Sequence, residues 1–586
     1  MSPSPFFRQK VMKLIGTRRS ALDLARGRIM FMRLCFASAF VLVAVRGFDL
    51  TILQGELPRL SQGLSSGFSQ EAPARDYAQG AKTAPTNLRA DIVDRNGVIL
   101  ARSVQTASLY ADPKLIPDPE GVARDLVKVL PDLSYGDVLK KLQRDGRFVW
   151  IKRNLAPQDQ YAVLGLGHPG LSFETEANRL YPQGALGAHL VGYTNVDGNG
   201  LAGVERSFDN VLKAGKEPVQ LTIDVRLQHV LRREISRTMK EFNAKGGMGV
   251  IMNVHDGEIL AAVSLPDFDP HSAGAAKPDN LFNRLSLGVY EMGSTFKLFS
   301  TAAYLELKNA PIGQTFDATK PLTIGRFSIR DYHAQKRVLT IPEIFMYSSN
   351  IGSALMAQAV GTDALKNFYA DLGFMAPVKI EIDEVGQPII PSPWRETSTL
   401  TASYGHGIAV SPLHVAAAAS SIVNGGLRVN PHVVLDTIAD DKENASVRVV
   451  SAETAHRIRQ LLRLTVSHGT GGKADVPGYM VGGKTGSAEK PGAHGGYDRK
   501  RLLSSFLGVF PSDDPDYVVL VIVDEPQGNK STYGYATGGW VGAPAVGRVV
   551  TAMASVLALP PKDVPAEKDI SAELVRYIHD PKKAGE

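Results

Sequence analysis

The pair Ser294 and Lys297 combines a nucleophile with a base, and its spacing suits both roles. Residues three apart on a helix share a face, and the segment 291–307 has the apolar composition of a buried helix. Burial would strip water from the lysine ammonium and lower its pKa from about 10.4. A neutral Lys297 could then take the proton from Ser294 as the hydroxyl attacks a carbonyl, with Gly293 leaving room for the substrate. By itself, the pair also fits a capping serine followed by a surface lysine.

A second pair of polar residues, Ser348 and Asn350, lies between two apolar stretches. A loop or helix edge at this position would aim both side chains into a cleft. Ser348 could pass a proton to a leaving amine, and Asn350 could hold Lys297 and a substrate amide. Taken alone, the pair fits the N-cap of a helix better, which is a common role for serine and asparagine.

The third group is Lys484-Thr485-Gly486-Ser487, which follows two glycines and predicts a strand exposed along one edge. Lys484 and Thr485 could bind a carboxylate, and the glycines would let the backbone approach a ligand. The backbone N–H of Ser487, together with that of Ser294, would form an oxyanion hole. In isolation, the segment also fits a cationic edge strand that deters aggregation.

The residues around these groups predict an α+β domain over 219–557, in which helices pack on one central sheet. Two apolar runs, 248–254 and 258–264, flank an Asp-Gly turn and predict a hairpin. The run Tyr517 to Val523 is continuously apolar and rich in β-branched residues. That composition predicts a strand buried on both faces.

A smaller α+β domain is predicted before it, over residues 89–215. Two short apolar segments there flank Asn96-Gly97, a strong hairpin signal. Residues 49–88 are rich in Ser, Gly, Gln, Ala and Pro without periodic apolar spacing, which indicates a tether. Residues 558–586 are charged and contain proline, and we interpret them as a loosely held tail.

The first 28 residues carry seven basic residues against one acidic residue, which accounts for the whole net charge of +6. An apolar run follows and predicts a single transmembrane anchor over 29–48. The basic flank predicts a cytoplasmic leader over 1–28 and an external location for the rest of the chain. A cleaved signal peptide and a buried core helix are the alternatives. Because the basic residues stop where the apolar run begins, we predict no nucleic-acid partner.

The sequence gives no support to metal, nucleotide or thiol chemistry. The single cysteine, Cys35, lies inside the predicted anchor, and neither a paired-histidine motif nor a Walker-type loop occurs. We therefore predict no metal and no cofactor. His406 and His414 are interpreted as structural. His414 follows the pair Ser411-Pro412, whose residue types predict the N-cap and first residue of a helix.

The order S-x-x-K, S-x-N, K-T-G is that of penicillin-binding proteins and serine β-lactamases. From residue 89 to about 544 the chain resembles the class B penicillin-binding proteins. The segments that carry the resemblance are Arg89–Gly97 (pedestal opening), Leu221–Gln228 (domain entry), Tyr290–Lys297 (nucleophile), and Ser411–Leu413, Asn424–Gly426 and Asp524–Pro526 (division-specific branch). Met292 stands where proline is usual and Ser487 where threonine is common, and neither change removes a functional group.

The resemblance implies a peptidoglycan D,D-transpeptidase that acts at the division septum and is a target of β-lactams. Ser294 would attack a stem ending in D-Ala-D-Ala, release the terminal D-alanine and pass the stem to an amine on a neighbouring strand. Lys297 would be the base, Ser348 and Asn350 the proton-relay pair, and 484–487 the carboxylate and oxyanion side. An inner-membrane anchor, a periplasmic pedestal and catalytic domain, and a lipid-linked glycosyltransferase and other division proteins as partners are also implied.

Three other functions are compatible with the same motifs. An elongation-specific relative would perform identical chemistry at the side wall, although the Asp524-Glu525-Pro526 segment and the length favour the division branch. A β-lactamase or D,D-carboxypeptidase would share the fold, but a β-lactamase needs neither pedestal nor anchor. A sensor or silent scaffold is the third alternative. The short predicted leader disfavours a sensor, and the complete motif set disfavours a silent protein.

Overall fold

The structure, a computed structural model, describes residues 88–325, 327–435, 447–492 and 496–579. The predicted leader and anchor, and the predicted tether up to residue 87, lie outside the described residues. In the parts of the chain that are described, no helix has the length and apolarity needed to cross a membrane.

The first domain is built around the long strand β2, which pairs antiparallel with three other strands along its length. The domain contains β1 (Ile92–Val93), β2 (Ile99–Ala111), β3 (Val149–Leu155), β4 (Leu171–Leu180), β5 (Tyr193–Thr194), β6 (Gly200–Ala202), α1 (Pro119–Val129), α2 (Tyr135–Leu142), α3 (Pro157–Leu164), α4 (Ala188–Val191), α5 (Gly203–Ser207) and α6 (Asp209–Ala214). The predicted hairpin at Asn96-Gly97 is confirmed, because β1 and β2 pair across it. A further strand, β7 (Val219–Gln220), pairs parallel with β1, so this sheet extends past residue 215.

The second domain has one antiparallel five-stranded sheet in the order β14-β15-β16-β8-β9. Its strands and helices are β8 (Gly246–Asn253), β9 (Ile259–Leu265), β10 (Thr315–Asp317), β11 (Leu322–Ile324), β12 (Phe327–Ile329), β13 (Val338–Thr340), β14 (Gly482–Pro491), β15 (Tyr497–Phe510), β16 (Tyr517–Asp524), α7 (Val225–Glu241), α8 (Pro278–Leu281), α9 (Lys297–Lys308), α10 (Ile341–Tyr347), α11 (Asn350–Val360), α12 (Thr362–Asp371), α13 (Glu396–Ala402), α14 (Pro412–Val423), α15 (Ala452–Ser467) and α16 (Gly542–Val556). The predicted β8–β9 hairpin and the central position of β16 are both confirmed.

Helices cover both faces of this sheet. Consecutive residues of its central strands are apolar, so each face presents apolar side chains that must be buried. Side chains of α7 and α16 pack on one face, and those of α9, α14 and α15 pack on the other. Four rings, those of Phe296, Phe299, Tyr369 and Phe374, interlock behind the start of α9 with centroids 4.8–5.7 Å apart. This buried aromatic cluster fixes the helix that carries the nucleophile motif.

The two domains are joined by hydrogen bonds around Asp94, which is 1% exposed. Its carboxylate accepts from the backbone N–H groups of Asn96 and Val98 in the β1–β2 turn. It also accepts from the N–H of Val225 at the start of α7. One buried carboxylate therefore ties the opening hairpin of the first domain to the first helix of the second.

The C-terminal segment up to residue 579 is packed against the second domain, so the prediction of a loosely held tail is wrong for these residues. Leu574 is 1% exposed within the turn Ala572–Tyr577. Asp569 forms an ion pair with Arg463 of α15 at 2.7 Å. The N–H of His579 donates to Glu343 of α10 at 2.7 Å. Asp569, through its side chain, and His579, through its backbone, therefore contact polar groups on two helices of the domain.

Candidate active site

The nucleophile motif lies at the start of the predicted helix, in a 3₁₀ turn that leads directly into it. Residues Gly293–Phe296 form a 3₁₀ turn, and α9 begins at Lys297. Gly293 has φ +55°, and a side chain there would place Cβ 3.0 Å from the carbonyl oxygen of Ser487. Glycine is therefore needed for the backbone conformation and for contact with β14, in addition to any room it leaves for substrate. Ser294 and Lys297 still face each other across this turn.

Lys297 is fully buried and surrounded by oxygen atoms. Its Nζ lies 3.0 Å from Oγ of Ser294 and 2.7 Å from Oδ1 of Asn350. It also lies 2.5 Å from the carbonyl oxygen and 3.1 Å from Oγ of Ser348. Burial, reinforced by the charge of Lys484, holds the pKa of Lys297 well below the usual value for lysine. The neutral amine is therefore more accessible than in an exposed lysine, and its Nζ is within reach of the Ser294 hydroxyl.

Ser348 and Asn350 lie on either side of a break between two helices. Ser348 ends α10 in the left-handed conformation, with φ +61°. Ser349 caps α11 by accepting a hydrogen bond from the N–H of Gly352, and Asn350 is the first residue of that helix. The N-cap role that the sequence left open thus belongs to Ser349, and the side chains of its two neighbours contact Lys297.

Asp331 supports this break from a separate loop, and no sequence motif pointed to this residue. Its carboxylate accepts from Oγ of Ser349 at 2.7 Å and from the N–H of Ile351 at 2.9 Å. The carbonyl of Arg330 accepts from Nδ2 of Asn350 at 3.0 Å, so Oδ1 is the oxygen turned to Lys297. The start of α11 is therefore held by residues about twenty positions earlier, a contact that spacing within the motif cannot reveal.

The strand β14 carries the third motif at the edge of the sheet, but it is buried and not exposed as predicted. Lys484 is 0% and Thr485 7% exposed. The turn that carries Ser294 covers the unpaired side of β14. The two are so close that a Cβ atom at Gly486 would lie 2.3 Å from Oγ1 of Thr295. Nζ of Lys484 donates to Oγ of Ser348 at 2.9 Å, and burial lowers the pKa of this lysine to about 7.

The hydroxyl groups of Thr485 and Ser487 face the opposite side of the strand from Lys484 and are held by two other segments. Oγ1 of Thr485 is 2.9 Å from Oγ1 of Thr470. Oγ of Ser487 accepts a hydrogen bond of 3.0 Å from the N–H of Gly538. The structure thus brings together Ser294, Lys297, Ser348, Asn350, Lys484, Thr485, Gly486 and Ser487.

The two histidines differ in their surroundings. His414 fixes the start of α14, because its Nδ1 accepts from Ser411, and Nε2 donates to the carbonyl of Ala376 at 2.8 Å. The structural interpretation of His414 and the predicted cap at Ser411 are therefore confirmed. Nδ1 of His406 lies 3.8 Å from Oε2 of Glu291. Burial lowers the pKa of His406 to about 4, so its ring is neutral. Among the described residues, no cluster of three His, Cys, Asp or Glu could hold a metal.

A helix-covered antiparallel sheet with a serine, a buried lysine amine and an edge-strand Lys-Thr-Gly defines the class of penicillin-recognising serine acyltransferases. Sequence profiles agree with this class. The profile described as penicillin binding protein transpeptidase domain matches residues 247–547, and that described as penicillin-binding protein dimerisation domain matches 84–247.

Individual proteins give the same result. The probable peptidoglycan D,D-transpeptidase FtsI of Caulobacter vibrioides is 40% identical, over 90% of this chain and 88% of its own. The peptidoglycan D,D-transpeptidase FtsI of Escherichia coli is 28% identical, over 79% of this chain and 82% of its own. A crystal structure of penicillin-binding protein 3 from Mycobacterium tuberculosis, complexed with ampicillin, shares the fold with a TM-score of 0.65 at 23% identity, over 82% of this chain and 98% of the other. The chain belongs to the penicillin-binding proteins, as a peptidoglycan D,D-transpeptidase of the FtsI type.

Proposed function

We propose that Ser294 is the nucleophile of a transpeptidase that cross-links peptidoglycan stems at the division septum through an acyl-enzyme. The observation that carries this proposal is the 3.0 Å contact between Oγ of Ser294 and the fully buried amine of Lys297. A buried lysine with a lowered pKa can accept a proton at neutral pH, and a serine needs such a base to become nucleophilic.

In the first half of the reaction, the proton of Ser294 passes to Nζ of Lys297 as Oγ attacks the carbonyl of the penultimate D-alanine. The resulting oxyanion is bound by the backbone N–H groups of Ser294 and Ser487, and their proximity is supported by the tight contact of Gly293 with β14. Collapse breaks the C–N bond to the terminal D-alanine. That nitrogen receives a proton through Ser348, which is hydrogen-bonded to Lys297.

The second half runs in the opposite direction. An amine on a neighbouring strand enters the position that D-alanine left and donates its proton through the same hydroxyl to Lys297 as its nitrogen attacks the ester. The C–O bond to Ser294 breaks, and the serine oxygen recovers a proton from Lys297. Asn350 holds Nζ of Lys297 in place throughout, because Oδ1 remains its acceptor at 2.7 Å.

The carboxylate of the terminal D-alanine binds at the strand that carries the third motif. The hydroxyl groups of Thr485 and Ser487 donate hydrogen bonds to it, and the buried Lys484 supplies a positive charge from the other side of the strand. Gly486 has no side chain and lets the strand lie against the nucleophile turn. A β-lactam carboxylate would bind in the same way, which places its carbonyl over Ser294.

The cellular setting is part of the same proposal. Residues 29–48 anchor the chain in the inner membrane with residues 1–28 in the cytoplasm, and the tether 49–88, pedestal 89–215 and catalytic domain 219–557 lie in the periplasm, followed by 558–586. The FtsI names of the relatives support a septal location and division proteins, including a lipid-linked glycosyltransferase, as partners. A functional fluorescent fusion that labels the side wall instead of midcell would contradict the septal assignment.

Intact-protein mass spectrometry after incubation with penicillin G tests the chemistry. We expect one stable adduct of the full mass of the drug on the wild-type chain and none on Ser294→Ala. A matched control is Ser531→Ala, an exposed serine outside the motifs, which should acylate normally. Rapid loss of penicillin from solution without an adduct would indicate a β-lactamase. Neither adduct nor hydrolysis from a folded protein would reject the catalytic proposal.

A further inference from the structure

Three aromatic side chains, two of them exposed and one half-buried, form a cluster beside β14. They belong to Tyr533, Tyr535 and Trp540, in the segment 525–541 that joins β16 to α16. The rings of Tyr535 and Trp540 are nearly parallel, at 10° with centroids 6.1 Å apart, and the ring of Tyr533 stands edge-on to Trp540 at 6.0 Å. Tyr533 is 81% and Tyr535 45% exposed. We call these three residues the aromatic platform.

The platform is linked to the candidate active site by a hydrogen bond of its own segment and by a contact between a lysine and the ring of Trp540. Gly538, which lies between Tyr535 and Trp540, donates its N–H to Oγ of Ser487 at 3.0 Å. On the other side, Nζ of Lys473 lies 4.1 Å from the centroid of the Trp540 ring. Lys473 lies three residues after Thr470, and the hydroxyl group of Thr470 contacts that of Thr485. The platform therefore borders the pair of hydroxyl groups assigned above to the terminal carboxylate.

This end of the cleft is where the acceptor must bind. The terminal D-alanine leaves from the carboxylate end, and the incoming amine attacks the same carbonyl from the position that D-alanine vacated. The second step is the chemical reverse of the first, so both nitrogens use one approach. The strand that carries the acceptor stem consequently lies nearest to the segments of Thr470–Lys473 and Tyr533–Trp540.

The chemistry of the platform selects the part of the acceptor strand that it can bind. The methyl group of an alanine covers only a fraction of one ring and leaves most of the exposed surface of Tyr533 and Tyr535 uncovered. A hexosamine ring presents a flat face of C–H bonds as large as a phenol ring, and its slightly positive hydrogens match the negative face of an aromatic ring. The hydroxyl groups of the tyrosines and the ammonium of Lys473 can bond sugar hydroxyl and acetamido oxygens.

We propose that the aromatic platform binds a hexosamine ring of the glycan strand that carries the acceptor stem. This inference rests on the proposed transpeptidation, because it uses the direction in which D-alanine leaves. It assigns a saccharide-binding role to residues outside the three motifs. Exposed aromatic clusters of this kind commonly mark binding sites, since their burial releases water from a large apolar area.

Calorimetric titration with peptide-free glycan strands tests the inference directly. The full chain is kept in a polyoxyethylene detergent, which carries no sugar, and is first acylated with penicillin so that the peptide cleft is filled. We expect binding to the wild type and at least a tenfold loss of affinity for Trp540→Ala and for Tyr533→Ala. Tyr161→Ala is the matched control, because this tyrosine is 80% exposed but lies on α3 of the first domain.

A second measurement separates this role from general damage. In transpeptidation assays, Trp540→Ala should raise KM at least tenfold for a glycan-linked acceptor and leave KM for a free stem acceptor unchanged. No binding by the wild type, or equal affinity of wild type and platform variants, would overturn the inference. Failure of penicillin to acylate Ser294 would instead reject the proposed function, and titration of the unacylated chain would still test the platform.

Discussion

Lys297 and Lys484 approach one hydroxyl group from two sides. Their Nζ atoms lie 3.1 and 2.9 Å from Oγ of Ser348. Both side chains are fully buried, and burial lowers the pKa of each, that of Lys484 to about 7 and that of Lys297 well below its usual value. Two ammonium ions this close repel each other, so the pair favours a neutral Lys297 beside a charged Lys484. Ser348 is positioned to carry a proton between this pair and a ligand.

The rate of acylation by penicillin should depend on both lysines. Lys297 must be neutral to accept the proton of Ser294, so the rate should rise with pH through its lowered pKa. Lys484 must be charged to attract the carboxylate of the drug. Since the pKa of Lys484 is about 7, the rate should fall again at higher pH, where this lysine loses its proton. The second-order acylation constant measured from pH 5 to 10 should therefore follow a bell-shaped curve.

The methyl ester of the same penicillin separates the two limbs of this curve. It has no carboxylate for Lys484, so the fall at higher pH should disappear while the rise at lower pH remains. Loss of a charge-assisted hydrogen bond worth about 1.5–3 kcal/mol should also slow acylation by roughly 10- to 100-fold. Identical pH profiles for acid and ester would contradict the role assigned to Lys484.

The buried Lys484 should also affect the stability of the folded protein. Its pKa falls from 10.5 to about 7 on folding, so between these values the unfolded chain binds more protons. The free energy of unfolding should therefore rise with pH in this window. In Lys484→Met the rise should be smaller. The difference in thermal midpoint between variant and wild type, measured at pH 7 and pH 9.5, should shift in favour of the wild type at the higher pH, and a constant difference would refute the explanation.

Asp331 should be a positioning residue for Asn350. In Asp331→Ala the first turn of α11 loses two hydrogen bonds, and this loss should lower the free energy of unfolding by about 1 kcal/mol. Because Asn350 holds Nζ of Lys297, we expect acylation to slow about tenfold, which is far more than the loss of stability alone would cause. Asp363→Ala is the control, an exposed aspartate in the first turn of α12. Equal acylation rates for both variants would exclude the positioning role.

Local signals in the sequence were sufficient for several elements. The Asp-Gly turn before β9, the β-branched run of β16 and the Ser411-Pro412 helix start each depend on residues adjacent in the chain, and all three predictions are confirmed. The pairing of Ser294 with Lys297 also follows from a spacing of three. The family resemblance then supplied the connection between the three motifs, which no local pattern contains.

Features that depend on distant residues were not predictable in this way. β14 is an edge strand in the pairing order, yet it is buried because the nucleophile turn covers it. Asp331 reaches α11 from another loop, and Asp569 meets Arg463 from the C-terminal segment. Composition could not identify these contacts, since a charged residue near a chain end predicts exposure unless its partner is known.

Gly293 should be indispensable for two separate reasons. In Gly293→Ala the residue keeps φ near +55°, which costs about 1 kcal/mol for alanine, and Cβ would press on Ser487. Gly361→Ala is a matched control, because φ there is +95° but nothing lies within 4 Å of the new Cβ. We expect both variants to lose some stability and only Gly293→Ala to lose acylation by penicillin, by at least tenfold. Normal acylation by Gly293→Ala would show that its contact with β14 is dispensable.

The packed C-terminal segment should contribute to the stability of the catalytic domain. Leu574 is 1% exposed and fills space beside α10 and α15, so Leu574→Ala should cost about 2–5 kcal/mol through lost burial and the cavity left behind. The neighbouring Val575 is 40% exposed, and Val575→Ala should change stability by no more than about 0.5 kcal/mol. Because Glu343 of α10 accepts from the N–H of His579, loosening the segment also removes support from the helix that ends at Ser348. Thermal unfolding should therefore begin several degrees lower in Leu574→Ala than in Val575→Ala, and equal midpoints would mean that the segment is held only loosely, as its composition first suggested.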